Sequence, residues 1–118
     1  MSVDNWLDIC RFDELIVNDG VCLLVGDEQI AMYRTSESDA VHAIGNYDPV
    51  GKANVLSRGI VGDMAGELVV ASPLYKQHFN LHTGQCIEDE SVQVPVYPVR
   101  VIDGRVQILA NSNQSLSS

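Results

Sequence analysis

The sequence predicts a single all-β domain, a small antiparallel β-sandwich or barrel. The chain has 118 residues, the size of one compact domain that can bury a hydrophobic core. Hydrophobic residues make up 46% of the chain and aromatic residues only 6%, and the apolar set includes 16 valines and 8 isoleucines. β-Branched side chains favour strands over helices. The candidate strands are short and recur about every ten residues, which is typical of small sandwiches and barrels.

The first half of the chain predicts one hairpin and one further strand. Residues 21–25 and 29–33 are apolar runs on either side of a Gly-Asp pair that is suited to a tight turn. Residues 40–44 are the next candidate strand. Sustained helical periodicity is missing, and residues 13–16 predict one helical turn at most.

The second half predicts further strands and a C-terminal hairpin. Residues 67–71 and 77–81 are strand candidates, and a Thr-Gly turn follows the second. Residues 96–102 and 105–109 surround an Asp-Gly pair, the favoured sequence for a type I′ turn. We therefore expect these last two segments to pair with each other.

Two loops and a tail lie outside the candidate strands. Loop 1, residues 45–59, contains one proline and three glycines, and loop 2, residues 72–76, contains another proline. Residues 110–118 are almost entirely polar and are expected to form a disordered tail. The predicted domain therefore spans residues 1–109.

The charge of the chain excludes several classes of partner. Seven basic residues against 16 acidic ones give a net charge of −9, spread along the sequence. Nucleic acid or an anionic membrane would repel such a protein unless it carried a basic patch, which the sequence does not show.

No apolar run reaches the roughly 18 residues of a membrane helix, and the N-terminus lacks a secretory signal. We therefore expect a cytoplasmic protein.

The sequence predicts no catalytic or metal site. Cys10, Cys22 and Cys86 are odd in number and far apart, so we expect reduced, mostly buried thiols. His78, His82 and Cys86 stand four residues apart, which would align three zinc ligands on a helix, but this segment is predicted as strand and turn. No nucleophile elbow, catalytic cysteine signature or glycine-rich dinucleotide motif is present in the sequence.

The two loops resemble the cluster-binding loops of Rieske iron–sulfur domains. Loop 1 carries Asn-Tyr-Asp-Pro-Val at residues 46–50 and Leu-Ser-Arg-Gly at residues 56–59, where that family has a Cys-x-His pattern. Loop 2 begins with Ser-Pro-Leu-Tyr at residues 72–75 and is similar to the Cys-Pro-x-His loop. The resemblance extends from Trp6 to the C-terminal Asp-Gly pair. It implies a Rieske-like antiparallel β-sandwich or barrel with a subdomain that carries both loops.

The resemblance also implies that the iron–sulfur cluster is absent. A Rieske centre holds one iron through two cysteine thiolates and the other through two histidine nitrogens. Asp48 and Ser72 occupy the cysteine positions here, and Val50 and Tyr75 occupy the histidine positions. A lone carboxylate with a hydroxyl suits a soft iron–sulfur core poorly, and a valine offers no donor atom. We expect no metal and no cofactor in this chain.

Three strings, at residues 55–59, 66–74 and 86–90, resemble the small subunit of the NADH-dependent assimilatory nitrite reductase. This resemblance implies a non-catalytic subunit that binds and supports a large subunit carrying FAD, sirohaem and an iron–sulfur cluster. In that family the large subunit reduces nitrite to ammonium in nitrate assimilation. Two alternatives stay open, a Rieske-type electron-transfer protein with unusual ligands and an interaction module for another redox enzyme.

Candidate contact residues lie in and beside the loops. Val50 and Tyr75 either fill the space that a cluster would occupy or, for Tyr75, anchor a partner. The acidic run at residues 88–90 is either a solvated loop or a docking edge that speeds association with a basic patch. The candidate partner-interface residues are Arg58, Tyr75, Lys76, Glu88, Asp89 and Glu90.

Overall fold

The computed structural model describes residues 5–35, 40–74 and 76–110. These residues contain twelve β-strands and two short 3-10 turns, Phe12–Glu14 and Leu56–Arg58, so the predicted all-β class is confirmed. The strands are β1 (Asn5–Arg11), β2 (Val21–Val25), β3 (Glu28–Arg34), β4 (Val41–Gly45), β5 (Tyr47–Asp48), β6 (Ala53–Asn54), β7 (Ile60–Met64), β8 (Glu67–Ala71), β9 (His78–Asn80), β10 (Val96–Tyr97), β11 (Val99–Ile102) and β12 (Arg105–Ala110).

The strands form three antiparallel sheets and one short ladder. The central sheet has the order β10-β4-β3-β2, and the sheet β1-β12-β11 contains both ends of the described chain. The third sheet, β7-β8-β9, and the ladder β5-β6 form the subdomain that carries the loops. Loop 1 begins where β4 ends, and loop 2 begins where β8 ends.

Strand β3 is buried on both faces, which explains its run of apolar residues. Successive side chains of a strand point to opposite faces. Ile30 and Met32 accordingly pack with Val106 and Ile108 from β12 in one core cluster. Ala31 and Tyr33 belong to a second cluster, which also contains Leu56, Val70 and Phe79 from the loop subdomain.

The two predicted hairpins are confirmed where their turn residues fix the backbone. Strands β2 and β3 pair up to Val25 and Glu28, which leaves Gly26 and Asp27 as the turn. Strands β11 and β12 pair up to Ile102 and Arg105. Asp103 and Gly104 between them both have positive φ, 52° and 76°, as a type I′ turn requires.

The prediction of one continuous strand over residues 96–102 is wrong. Residues Val96–Tyr97 pair with β4 in the central sheet, whereas Val99–Ile102 pair with β12 in another sheet. Pro98 lies at the junction, where its missing N–H ends one ladder, while its carbonyl accepts the N–H of Leu109 at 2.9 Å. The chain therefore crosses from one sheet to the next at this proline.

The sequence does not predict strands β1 and β7, nor the two-residue strands β5 and β6 inside loop 1. Strand β1 pairs with β12 through a register shift between Asp8 and Cys10, which breaks the alternation that would have marked it. Strand β7 contains Gly62 and Asp63, which are both unfavourable in strands. It forms a hairpin with β8 nonetheless, because Met64 and Glu67 flank a two-residue turn.

Three further expectations can be compared with the structure. Cys86 is buried, but Cys10 is half-buried and Cys22 is exposed on the edge strand β2, so the expectation of mostly buried thiols is wrong for Cys22. The predicted tail lies outside the described residues apart from Ala110, which ends β12. No helix within residues 5–35, 40–74 and 76–110 is long and apolar enough to cross a membrane.

Candidate functional site

Loop 1 is organised around the buried side chain of Asn46. Its amide Nδ2 donates to Gln29 Oε1 at 3.1 Å, which ties the loop to β3. Its Oδ1 accepts the backbone N–H of Ser57 at 2.7 Å. The backbone carbonyl of Asn46 accepts the N–H of Leu56 at 3.0 Å. The beginning and the end of loop 1 are therefore held together by the side chain and the backbone carbonyl of Asn46.

A hydrogen bond between two buried side chains joins the two loops. Ser72 Oγ donates to Asp48 Oδ2 at 2.5 Å, and the exposed fraction is 1% for Ser72 and 0% for Asp48. The other carboxylate oxygen, Oδ1, accepts the N–H of Val50 at 2.8 Å and that of Gly51 at 3.1 Å. A buried carboxylate is costly unless it is hydrogen-bonded, and these three donors supply what it needs.

The two loops share one hydrogen-bond pattern, at residues 48–52 and at the described residues 72–74 and 76, which we call the paired turns. In each turn the side-chain oxygen of the first residue accepts the N–H two positions later, at 2.8 Å in loop 1 and 3.3 Å in loop 2. The first carbonyl accepts the N–H four positions later, at 2.6 Å and 3.1 Å respectively. A proline is second and a lysine is last in both.

The paired turns also touch through apolar atoms. A Cβ added at Gly51 would lie 2.5 Å from Leu74 Cδ1 and 3.0 Å from Asp48 Oδ2, so the two turns approach closely there. Leu74 is 44% exposed in spite of this contact, Pro73 is exposed and Val50 is half-buried. The surface of the paired turns therefore has an apolar centre. Tyr75 lies outside the described residues, and its role stays a prediction.

The side chains at the predicted ligand positions do not fit a [2Fe–2S] cluster. The Asp48 carboxylate and the Ser72 hydroxyl bond to each other where the two thiolates of a Rieske centre would bind iron. Val50 offers no donor atom at a histidine position. Within the described residues, no three His, Cys, Asp or Glu side chains gather where they could hold a metal ion.

Two lysines and one arginine of the loops carry unpaired positive charge. Lys52, Arg58 and Lys76 are exposed, and in the described part of the chain they have neither an ion-pair nor a hydrogen-bond partner for their side chains. The other four basic residues each contact an acidic or aromatic side chain. These contacts are Arg11 with Asp13, Arg105 with Asp8, Arg34 over the Phe12 ring and Arg100 over the Trp6 ring.

His78 and Cys86 share the partner Glu88, whereas His82 contacts a different residue. His78 Nδ1 lies 2.5 Å from Glu88 Oε2, and the Cys86 thiol, whose pKa is raised by burial, lies 3.7 Å from Glu88 Oε1. The His82 ring instead packs edge-on against His42, with 4.7 Å between the ring centroids. Burial and the neighbouring His82 lower the pKa of His42. This contact links the turn after β9 to the central sheet.

Two members of the acidic run at residues 88–90 are bonded within the fold. Burial alone would raise the pKa of Glu88, but hydrogen bonds from the backbone and the ring of His78 outweigh it and hold this pKa below its usual value. Asp89 Oδ1 accepts the hydroxyl of Ser91 at 2.6 Å and its N–H at 3.0 Å, which lowers the pKa of Asp89. Glu90 is exposed, and its carboxylate has no partner among the residues that the structure describes.

Comparisons with known proteins assign this arrangement to a family. A family model described as the Rieske-like [2Fe-2S] domain matches residues 5–109. The nitrite reductase (NADH) small subunit of Escherichia coli K12 is 50% identical over 106 residues, which cover 90% of this chain and 98% of that protein. The chain belongs to the nitrite reductase small-subunit family. The family and the Rieske-like fold predicted from the sequence are therefore confirmed.

Two further comparisons extend the small-subunit assignment. The NMR structure of the Escherichia coli protein NirD has a TM-score of 0.84 and 49% identity, and the match covers 92% of this chain and 99% of that one. A Klebsiella oxytoca protein named nitrite reductase [NAD(P)H] large subunit is 39% identical over 115 residues, which are 93% of this chain and 12% of that protein. A small-subunit-like segment is thus one part of that longer polypeptide.

Sequence reasoning missed two residues that shape this small subunit. Lys52 was not among the candidate contacts, although Asp-Pro-x-x-Lys and Ser-Pro-x-x-Lys recur in the two loops and mark equivalent positions. The sequence identifies Asn46 only through the family resemblance. An asparagine directly after a buried strand is a signal for side-chain bonding to a loop backbone, but its partners lie on distant segments.

Proposed function

We propose that this chain is the non-catalytic small subunit of a cytoplasmic NADH-dependent nitrite reductase. The observation that carries the proposal is the 50% identity to the Escherichia coli small subunit over 98% of that protein. The large subunit holds the FAD, the sirohaem and the iron–sulfur cluster and reduces nitrite to ammonium in nitrate assimilation. This chain binds and supports that subunit without a redox centre of its own.

The large subunit is the proposed partner because a homologous segment occurs inside such a protein. That segment is 12% of the Klebsiella oxytoca large subunit. Two parts of one polypeptide meet at a high effective concentration. When the same parts are separate chains, a direct contact between them must replace the covalent link.

The absence of a redox centre is proposed from the chemistry of the loops. Asp48 uses its carboxylate for three hydrogen bonds, one of them from Ser72. To bind a cluster, the Asp48 carboxylate and the Ser72 hydroxyl would have to give up these hydrogen bonds and bind iron through oxygen. Iron in such a site prefers thiolate sulfur. The Asp48–Ser72 bond instead closes the two loops on each other.

The proposed interface is the surface of the two loops, with Arg58, Tyr75 and Lys76 among its residues. Charges that stay at the exposed rim of an interface set association rates and orientation more than affinity, whereas charges that lose water on docking also contribute to affinity. Glu90 is proposed as a second contact, because its carboxylate extends into solvent while Glu88 and Asp89 are bonded within the fold. The variant Glu90→Lys is expected to lower the association rate constant measured by stopped-flow, and an unchanged rate would remove Glu90 from the interface.

Co-expression with a nitrite reductase large subunit tests the proposed function. We expect an affinity tag on this chain to retain the large subunit, and we expect the NADH-dependent nitrite reduction of the large subunit to fall when this chain is omitted. A large subunit that is equally stable and active alone would refute the proposal. The chain purified alone under anaerobic conditions should contain no stoichiometric iron and show no visible absorption. Iron and colour would favour the electron-transfer alternative.

A further inference from the structure

Both lysines of this chain lie at the same position of the paired turns. The sequence contains two lysines, Lys52 and Lys76, and each ends its turn with a left-handed backbone, φ 60° and 64° respectively. Glycine is the usual residue in that conformation, and other residues there cost about 1 kcal/mol or more. Asn18, Ala65 and Asp103 also have positive φ, so this conformation locates the two lysines but does not by itself indicate a function for them.

The lysines lie beside the apolar centre of the paired turns. Each lysine N–H bonds to the residue that begins its turn, and those first residues, Asp48 and Ser72, bond to each other. Lys52 and Lys76 therefore flank the contact in which Leu74 lies against the backbone of Gly51. Both ammonium groups lack a partner in the described chain, and they are positive groups in a protein of net charge −9.

The turn backbone argues against a small anion as the ligand of these lysines. Loops that bind phosphate do so with several free N–H groups that converge on it. In the paired turns these donors are already used inside the protein, namely the N–H groups of Val50, Gly51, Lys52, Leu74 and Lys76. A ligand that matches two separate ammonium groups and an apolar centre is a protein surface with its own spaced carboxylates.

We propose that the paired turns dock onto an acidic surface of the large subunit. Carboxylates of that surface receive Lys52 and Lys76, and an apolar hollow between them takes Leu74. The inference rests on the proposed function, because it names the chemistry of the same interface. Ion pairs that lose part of their water on docking are worth about tenfold in affinity each.

Carbodiimide coupling of the co-purified complex tests the proposal. The reagent adds to a carboxylate of the large subunit and forms an O-acylisourea. The lysine Nζ attacks the acyl carbon to form an amide, and the reagent leaves as a urea that carries one carboxylate oxygen. We expect mass spectrometry to find Lys52 and Lys76 linked to aspartate or glutamate of the large subunit. The double variant Lys52→Arg and Lys76→Arg should bind normally but lose these cross-links, because a guanidinium keeps the charge without forming the amide.

Substitution by glutamine tests whether the positive charge of each lysine contributes to binding. Lys52→Gln and Lys76→Gln should each raise the dissociation constant of the complex about tenfold. The urea midpoint of the isolated chain should stay unchanged. Arg11→Gln is the matched control, because Arg11 is exposed and pairs with Asp13 away from the loops. Its binding should equal that of the unmodified chain.

Three outcomes would overturn the inference. The first is a complex that forms equally well with both glutamine variants. The second is a complex in which both lysines react with acetic anhydride as fast as in the free chain. The third is protection of both lysines by inorganic pyrophosphate in the isolated chain, which would assign them to a small anion. A wild-type chain that does not bind the large subunit at all would overturn the proposed function itself.

Discussion

The hydrogen bond between Asp48 and Ser72 should be a main source of stability in the loop subdomain. In Ser72→Ala the buried Oδ2 of Asp48 loses its side-chain donor, and a hydrogen bond to a charged group is worth about 1.5 to 3 kcal/mol. We expect the free energy of unfolding to fall by about 2 kcal/mol. Asp48→Ala also frees the N–H groups of Val50 and Gly51, which are half-buried and partly regain water, so we expect a loss of about 3 kcal/mol.

A double-mutant cycle in urea measures the bond itself. Since both single variants remove the same interaction, the double variant should lose about 1.5 kcal/mol less than the sum of the two. Ser91→Ala is the matched control, because Ser91 Oγ donates to the exposed Asp89 at 2.6 Å, and exposed substitutions cost within about 0.5 kcal/mol. Additive losses at residues 48 and 72, or an equal loss in the control, would refute the reasoning.

Three other predictions concern separate parts of the fold. Burial lowers the pKa of His42, so the unfolded chain takes up the proton first and stability should fall as the pH drops below about 6.5. The urea midpoint of His42→Gln should fall less between about pH 7.5 and pH 5.5, and equal slopes would contradict this. Gly51→Ala should cost about 1 kcal/mol, because Leu74 must shift and the new Cβ lies 3.0 Å from Asp48 Oδ2, whereas Gly62→Ala, with open space around it, should not show this clash. Gly104→Ala places alanine at φ 76° and should lower the unfolding free energy by about 1 kcal/mol, which a melting curve would reveal.

The sequence predicts best those elements whose turn residues settle the backbone locally. Gly26 and the Asp103-Gly104 pair define hairpins without reference to the rest of the chain. Strand β1 depends on its distant partner β12, at the opposite end of the chain, so no local pattern reveals it. Pro98 is visible in the sequence, but the presence of two sheets on either side of it is a property of the whole fold.

The sequence likewise predicts some residues of the candidate site but not the contacts between them. Asp48 and Ser72 can be named from the family resemblance, because ligand positions are tied to sequence motifs. Their bond cannot, since it joins residues 24 positions apart and depends on how loop 1 and loop 2 meet. The repeated Pro-x-x-Lys spacing is present in the sequence, but the left-handed backbone of Lys52 and Lys76 emerges only when each turn closes on its own first carbonyl.

The carboxylate–hydroxyl bond between the loops also bears on how the protein is made. Asp48 and Ser72 join the two loops through side chains of the polypeptide. On the proposed function, this subunit needs no cluster-assembly machinery before it can bind its partner. Its folding should therefore be insensitive to added iron and to an iron chelator, so the urea midpoint of the purified chain should be the same with and without either.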